Sequence, residues 1–191
     1  MKNISEISIR EIANHLQNGE VIVLPTDTIY GFSCLPDKEG AMRKIQKLKQ
    51  RPNSKPFLLL ISDFKQLKEY CQVSAQQERI LRILWDPGQR PVTVILKNRL
   101  DATRTLAVRL PQAPWLIRLI KTLQQPLLST SVNLSGQKEL INVQKIITHF
   151  KGQALILQPG LIVKNQGRAS HLKPSAIIDL TAVNYPRIIR G

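Results

Sequence analysis

An α/β domain built around a mixed sheet is the fold class this sequence predicts, and three observations predict it. Short apolar strand-like runs alternate with amphipathic helical patterns, and some strands follow one another with no helix between them. No repeat, low-complexity tract or linker divides the 191 residues, so one domain over 1–191 is expected, long enough for one sizeable core.

The elements follow in order. Ser8-Ile-Arg-Glu11 reads as a capping box opening a helix, with Gly19 as its stop. Val21 to Leu24 is a buried strand, Glu39 to about Leu48 an amphipathic helix, and Phe57 to Ile61 a second buried strand. Ser62-Asp63 can cap the helix beginning DFKQLKEY, and a further helix covers about Ala75 to Leu84. Pro91–Leu96 and Leu106–Leu110 read as strands, and Pro114–Leu123 as a helix with proline in its first turn. A strand over Pro126–Leu128, a helix over about Val143–Phe150, and short strands near Ala154–Leu157, Ser175–Leu180 and Arg187–Ile189 complete the chain.

Composition excludes several classes. The apolar fraction of 42% and charged fraction of 21% are those of an ordinary soluble globular protein. The longest apolar run, Phe57 to Ile61, is far too short for a membrane span, and the amino terminus shows no secretory pattern, so a cytoplasmic location is expected. Cys34 and Cys71 fit neither a disulfide framework nor a metal site and are read as reduced, half-buried thiols. His15, His149 and His171 are scattered without metal spacing.

Charge is the unusual feature. The net charge is +15, and residues 97–191 hold 14 basic but only 3 acidic side chains. Such an excess favours polyanionic partners, nucleotides or RNA among them, although solubility alone would also account for it.

Polar residues recur at every second position where strands end. An extended backbone over Pro25–Gly31 would place Thr26, Thr28 and Tyr30 on one side. Thr105 and Arg109 face away from Leu106, Val108 and Leu110, and Ser129, Ser131 and Asn133 share a side of PLLSTSVNLSG. Together these look like walls of one polar cleft. In Lys49-Gln-Arg51-Pro52, Pro52 biases Arg51 toward extended backbone, so the helix should end there with both cations free to converge. The pair is either an anion site, where a forked Arg and a point-charge Lys suit a polyphosphate, or a solvated helix end. No standard phosphate-binding loop and no G-x-S-x-G elbow is present, which leaves hydroxyls and amides holding an anion.

PTDTIYG (25–31), KQRP (49–52), LAVRLP (106–111), STSVNLSG (129–136), PSAIIDL (174–180) and RIIRG (187–191), in this order, resemble the YrdC-like (TsaC) threonylcarbamoyl-adenylate synthases. The resemblance implies an open, twisted α/β sheet with flanking helices around a concave basic cavity. It implies a nucleotidyltransferase that makes threonylcarbamoyl-AMP and pyrophosphate from L-threonine, bicarbonate and ATP, with Mg2+ carried mainly by the ATP phosphates. A downstream transferase complex would then modify adenosine 37 of tRNAs reading codons that begin with A.

By the same resemblance, Lys49, Arg51, Ser131 and Asn133 form a catalytic tetrad around the phosphates. Thr105 and Arg190 contact the nucleotide, as does Lys55, which stands where other members have Asn. Thr28, Arg109, Ser129 and Ser175 hold threonine. The chain would be the short, single-domain form. It departs from the pattern in a longer, more basic Trp85–Pro91 loop, and in Leu60, where longer members carry a histidine. Two alternatives stand beside this reading: a non-catalytic protein binding double-stranded RNA or tRNA on the same scaffold, and a paralogue acting on another nucleotide or sugar phosphate.

Overall fold

The computed structural model describes residues 8–50, 57–156, 173–182 and 186–191. Arg51, Lys55 and His171 lie outside these residues. Six helices are described: α1 (Ile9–Gln17), α2 (Glu39–Lys49), α3 (Phe64–Tyr70), α4 (Ala75–Leu84), α5 (Pro114–Leu123) and α6 (Val143–Phe150). The described strands are β1 (Ile22–Leu24), β2 (Gly31–Cys34), β3 (Leu58–Leu60), β4 (Val92–Lys97), β5 (Thr105–Arg109), β6 (Leu127–Ser131), β7 (Leu155–Ile156), β8 (Ala176–Asp179) and β9 (Arg187–Arg190). They form one open mixed sheet in the order β7-β1-β2-β6-β3-β5-β4-β8-β9. The β1–β7, β3–β5 and β4–β8 pairs run parallel and the others antiparallel.

Local chemistry fixes the helix ends. Ser8 and Glu11 form the expected capping box, and Ser74 with Gln77 forms another on α4, each cap contributing about 1 kcal/mol. Asp63, itself hydrogen-bonded by Ser62, caps α3. Two helices stop without glycine: Gln50 and Gln124 take up left-handed backbone at φ 49° and 56° to close α2 and α5.

Two differences from the sequence reading bear on the site. β2 was not foreseen, because Gly31-Phe-Ser-Cys34 offers only a short, mixed run; it forms because β1 and β6 flank it on both sides. β6 extends through Ser131, beyond the expected end at Leu128, because Ser129 to Ser131 pair with Gly31 to Ser33.

The two faces of the sheet are covered unequally. On one face, α2, α3, α4 and α6 bury Ala41, Ile45, Leu67, Leu81, Ile146 and Phe150 against strands from β1 to β8. On the other, α1 and α5 are the described helices. Ile12, Leu16, Trp115, Leu116, Leu119 and Ile120 pack there on Ile22, Leu24, Leu60 and Leu127, and no side chain of β4, β5 or β8 joins that cluster. Among the described residues, half of this face therefore carries no helix. That bare half carries the site.

Candidate functional site: a polar cleft on the uncovered half of the sheet

The floor of the cleft comes from strand register. Ser129 lies opposite Leu58 and Ser33, Leu58 opposite Ala107, and Ala107 opposite Ile95, so these side chains share the bare face. Thr93, two residues before Ile95, and its partner Ile177 continue the row into β8. The cavity over this floor holds about 230 Å³ and is lined by Thr26, Thr28, Tyr30, Gly31, Arg109, Ser129, Ser131, Glu139, Ser175 and Arg190 among others. Gly31 admits the close approach of two strands here: a Cβ on it would stand 2.4 Å from Ser129 Oγ.

The Thr26–Tyr30 wall forms differently from the expected extended strand. The backbone bends over 27–29, and Thr26 Oγ1 accepts the Thr28 N–H (3.1 Å) while donating to Ile29 O (2.7 Å). Since the single Thr26 hydroxyl proton goes to Ile29, the 3.0 Å contact between the two hydroxyls has Thr28 as donor. Thr28 thus keeps acceptor lone pairs for anything entering the cleft. Burial pushes the Tyr30 hydroxyl up to about 12, so it stays a neutral phenol at neutral pH.

Arg109 and Asp27 form a buried ion pair, their side chains 4% and 6% exposed. Arg109 Nη2 donates to Asp27 Oδ1 at 2.9 Å, and the Gln112 backbone N–H donates to Asp27 Oδ2 at 3.1 Å. Arg109 Nε is buried with no acceptor among the described residues, a vacancy worth about 1–3 kcal/mol that an entering acceptor would fill.

At the far end, Thr93 Oγ1 and Ser175 Oγ share a hydrogen bond of 2.8 Å, both buried. Ser175 O accepts from Arg190 Nε at 3.0 Å and Nη2 at 2.8 Å, which holds the Arg190 side chain at the cleft. Burial pushes the Arg190 guanidinium below its ordinary value. The Glu139 charge opposes that shift, and Arg109 and Arg90 add to it.

Lys49 reaches the same region from beneath. Only 1% exposed, it donates through Nζ to Ser131 O, Asn133 O and Asn133 Oδ1. Ser131 Oγ also donates to Asn133 Oδ1 (2.8 Å), and Asn133 Nδ2 donates to Gln137 O (2.6 Å). Carbonyl dipoles, with no carboxylate among these acceptors, compensate this buried ammonium, and the network fixes the turn after β6.

Sequence alternation thus foresaw much of what lines the cleft: Thr28, Arg109, Ser129 and Ser131, joined by Ser175 and Arg190 from motif position. Lys49 and Asn133 meet Ser131 as expected, from below the floor. Thr105 stands exposed at the start of β5 and is not part of the lining. Leu60 is buried under α5, on the covered half.

Sequence reasoning missed Asp27, Thr93 and Glu139. A lone hydroxyl inside the apolar run Val92–Leu96 was a usable signal for Thr93, and a rare carboxylate in the basic half was one for Glu139. The Trp85–Pro91 loop is anchored by Trp85 Nε1 on Val92 O (2.9 Å) and by Gln112 Nε2 on Gln89 O (2.9 Å).

Other candidate chemistry recedes. Cys34 and Cys71 are fully buried, more than expected, and burial pushes both thiols up to about 12, which keeps them unreactive. His15 pairs with Glu20 and His149 bonds Lys145 O, both on the surface. Among the described residues no helix is long and apolar enough to cross a membrane, and no three His, Cys, Asp or Glu side chains gather as metal ligands.

Comparison with known proteins agrees with this geometry. A family model described as "Telomere recombination" and covering the Sua5, YciO and YrdC proteins matches residues 14–191. The threonylcarbamoyl-AMP synthase of Yersinia enterocolitica is 33% identical over 93% of this chain and 94% of its own length. That of an Enterobacter species is 34% identical over 90% of each. Among solved structures, E. coli YciO superposes with a TM-score of 0.78 at 29% identity, covering 95% of this chain and 87% of YciO. Pyrococcus abyssi Sua5 complexed with L-threonine gives 0.79 at 27%, covering 95% of this chain and 53% of that longer one. The chain belongs to the Sua5/YciO/YrdC family.

Proposed function

We propose that this chain is a threonylcarbamoyl-AMP synthase, a nucleotidyltransferase joining L-threonine, bicarbonate and ATP with release of pyrophosphate. The observation that carries the reading is the convergence of Thr28, Arg109, Ser129, Ser131, Ser175 and Arg190 on one cleft. The chain bearing it is about one third identical to synthases over nearly their whole length. The threonine complex of the Sua5 relative supports an amino-acid pocket in this fold.

Arg109 takes the threonine carboxylate, its unpartnered Nε–H gaining an acceptor, while Thr28, Ser129 and Ser175 surround the rest of the molecule. Thr28, with its own proton committed to Thr26, accepts from the substrate's amine or hydroxyl. Arg190 and the Lys49–Ser131–Asn133 network receive the nucleotide, with Arg51, Lys55 and Thr105 as further contacts by motif position. A phosphate arriving at this network takes hydrogen bonds that its members now make to one another, so exchange of partners replaces desolvation of a bare charge.

The threonine amine adds to bicarbonate with loss of water to give a carbamate, whose oxygen attacks the α-phosphorus of ATP as pyrophosphate leaves. Such a displacement needs alignment and neutralisation of developing negative charge, and no protein nucleophile. Mg2+ would be carried mainly by the ATP phosphates and would add to the neutralisation of charge there. The product would pass to a cytoplasmic threonylcarbamoyl-transferase complex acting on adenosine 37 of tRNA. The basic surface offers tRNA itself a further contact.

Pyrophosphate release with threonine, bicarbonate and ATP omitted in turn tests the reading. Release is expected only when all three are present. Release that ignores threonine would sink it.

A further inference from the structure

Nothing above gives Asp27 a role, although it is one of the most deeply buried carboxylates beside the cleft. It makes two well-formed contacts. One oxygen holds the Arg109 guanidinium at 2.9 Å and the other holds the Gln112 backbone N–H at 3.1 Å, at the entry to α5. A guanidinium is a rigid planar fork of five donors, so fixing one nitrogen against an immobile acceptor sets where the others point. Arg109 Nε is the buried side-chain nitrogen left without an acceptor among the described residues.

The pair is also electrically closed. A cation compensated at 2.9 Å still donates hydrogen bonds to a singly charged carboxylate, but it offers little net field to a polyphosphate. Among the described residues, Arg190 is the other cation lining the cleft, and its guanidinium rests on the Ser175 carbonyl with no carboxylate in such contact.

We propose that Asp27 is the positioning and selectivity residue of the amino-acid half of the cleft. It orients Arg109 toward a substrate carboxylate, and it cancels the charge that would otherwise draw phosphate groups into that half. The proposal rests on the synthase reading and names a residue which that reading leaves unused.

The test is threonine binding by calorimetry without ATP, so that no turnover intervenes, together with arginine Nε–H resonances. In the wild-type protein, threonine should move the Arg109 Nε–H signal, assigned through Arg109→Lys. In Asp27→Asn, threonine should bind about tenfold more weakly, the cost of losing one oriented charged contact. Inorganic phosphate, without effect on wild-type threonine binding, should now compete with it. Asp27→Glu keeps the charge but displaces it by one methylene. It should melt near the wild-type temperature and still bind threonine about fivefold more weakly.

A folded Asp27→Asn or Asp27→Glu protein with wild-type threonine affinity and no phosphate competition overturns the proposal alone. So does a wild-type Arg109 signal that saturating threonine leaves unmoved, and this measurement decides the matter if both variants fail to fold. Wild-type protein that does not bind threonine overturns the synthase reading and this proposal together.

Discussion

Leu127 and Ser129 stand two residues apart on β6, on the same face of the same sheet, yet one lies in a core and the other in a cleft. Leu127 sits opposite Leu60 beneath α5, fully buried among Trp115, Leu116 and Leu119. Ser129 sits opposite Leu58 and Ser33 and looks into the cavity. Roughly 7 Å of strand separates them. The alternation rule treats the two positions identically. What separates them is where α1 and α5 stop. Beyond that edge no described helix covers the face, and hydroxyls, an ion pair and a glycine join the apolar floor of Leu58, Ala107 and Ile177 there.

The contrast can be broken at its strongest point first. Leu127→Ala should cost about 2–5 kcal/mol, because α5 cannot collapse into the space, while leaving the KM for threonine unchanged. Urea unfolding with parallel kinetics checks both halves of that statement. A change in KM would mean that the two regions are coupled.

Lys49→Met keeps the length of the side chain but leaves the oxygens of Ser131 and Asn133 without their cation. Turnover should fall about 30- to 1,000-fold, corresponding to about 2–4 kcal/mol, measured as pyrophosphate release. Near-normal turnover would remove Lys49 from the site.

Gly31→Ala places a methyl 2.4 Å from Ser129 Oγ, where real Cβ atoms do not sit. The displaced serine should lower turnover about tenfold, with about 1–3 kcal/mol lost in melting experiments. Ser129→Ala should raise the KM for threonine a few-fold, the loss of about 0.5–1.5 kcal/mol in one hydrogen bond, with stability nearly constant. The Leu127 and Ser129 pair of variants thus gives opposite signatures from one face of one strand.

Smallest of all, Gln124→Gly should relieve the left-handed strain that closes α5. It should raise the melting temperature by about 1–2 °C, leaving kinetics untouched.

Much of this molecule could be read along the chain. Several helices carried a local signature, such as the Ser8–Glu11 box, Asp63 ahead of α3 or Pro114 opening α5, and these appear close to their expected places. Arg109 and the two serines of β6 were legible because a strand has period two. The failures have a common cause. β2 lacks a signature of its own and exists through its neighbours, and the bend at 27–29 is held by a threonine hydroxyl that propensity does not describe. Asp27 was hidden because its partner lies 82 residues away; Lys49 was foreseen, but not the carbonyl oxygens that hold it, which lie at a similar distance.

The sequence by itself determined the helices, most strands with their sidedness, and the family, since all of these depend on residue types at fixed short spacing. The tertiary structure alone decided which outward-facing residues meet, that Arg109 arrives already paired, and that Lys49 is held beneath the floor. Those outcomes depend on strand order and on how far two helices reach across a sheet, and distances of that kind are set by packing between segments remote in the chain.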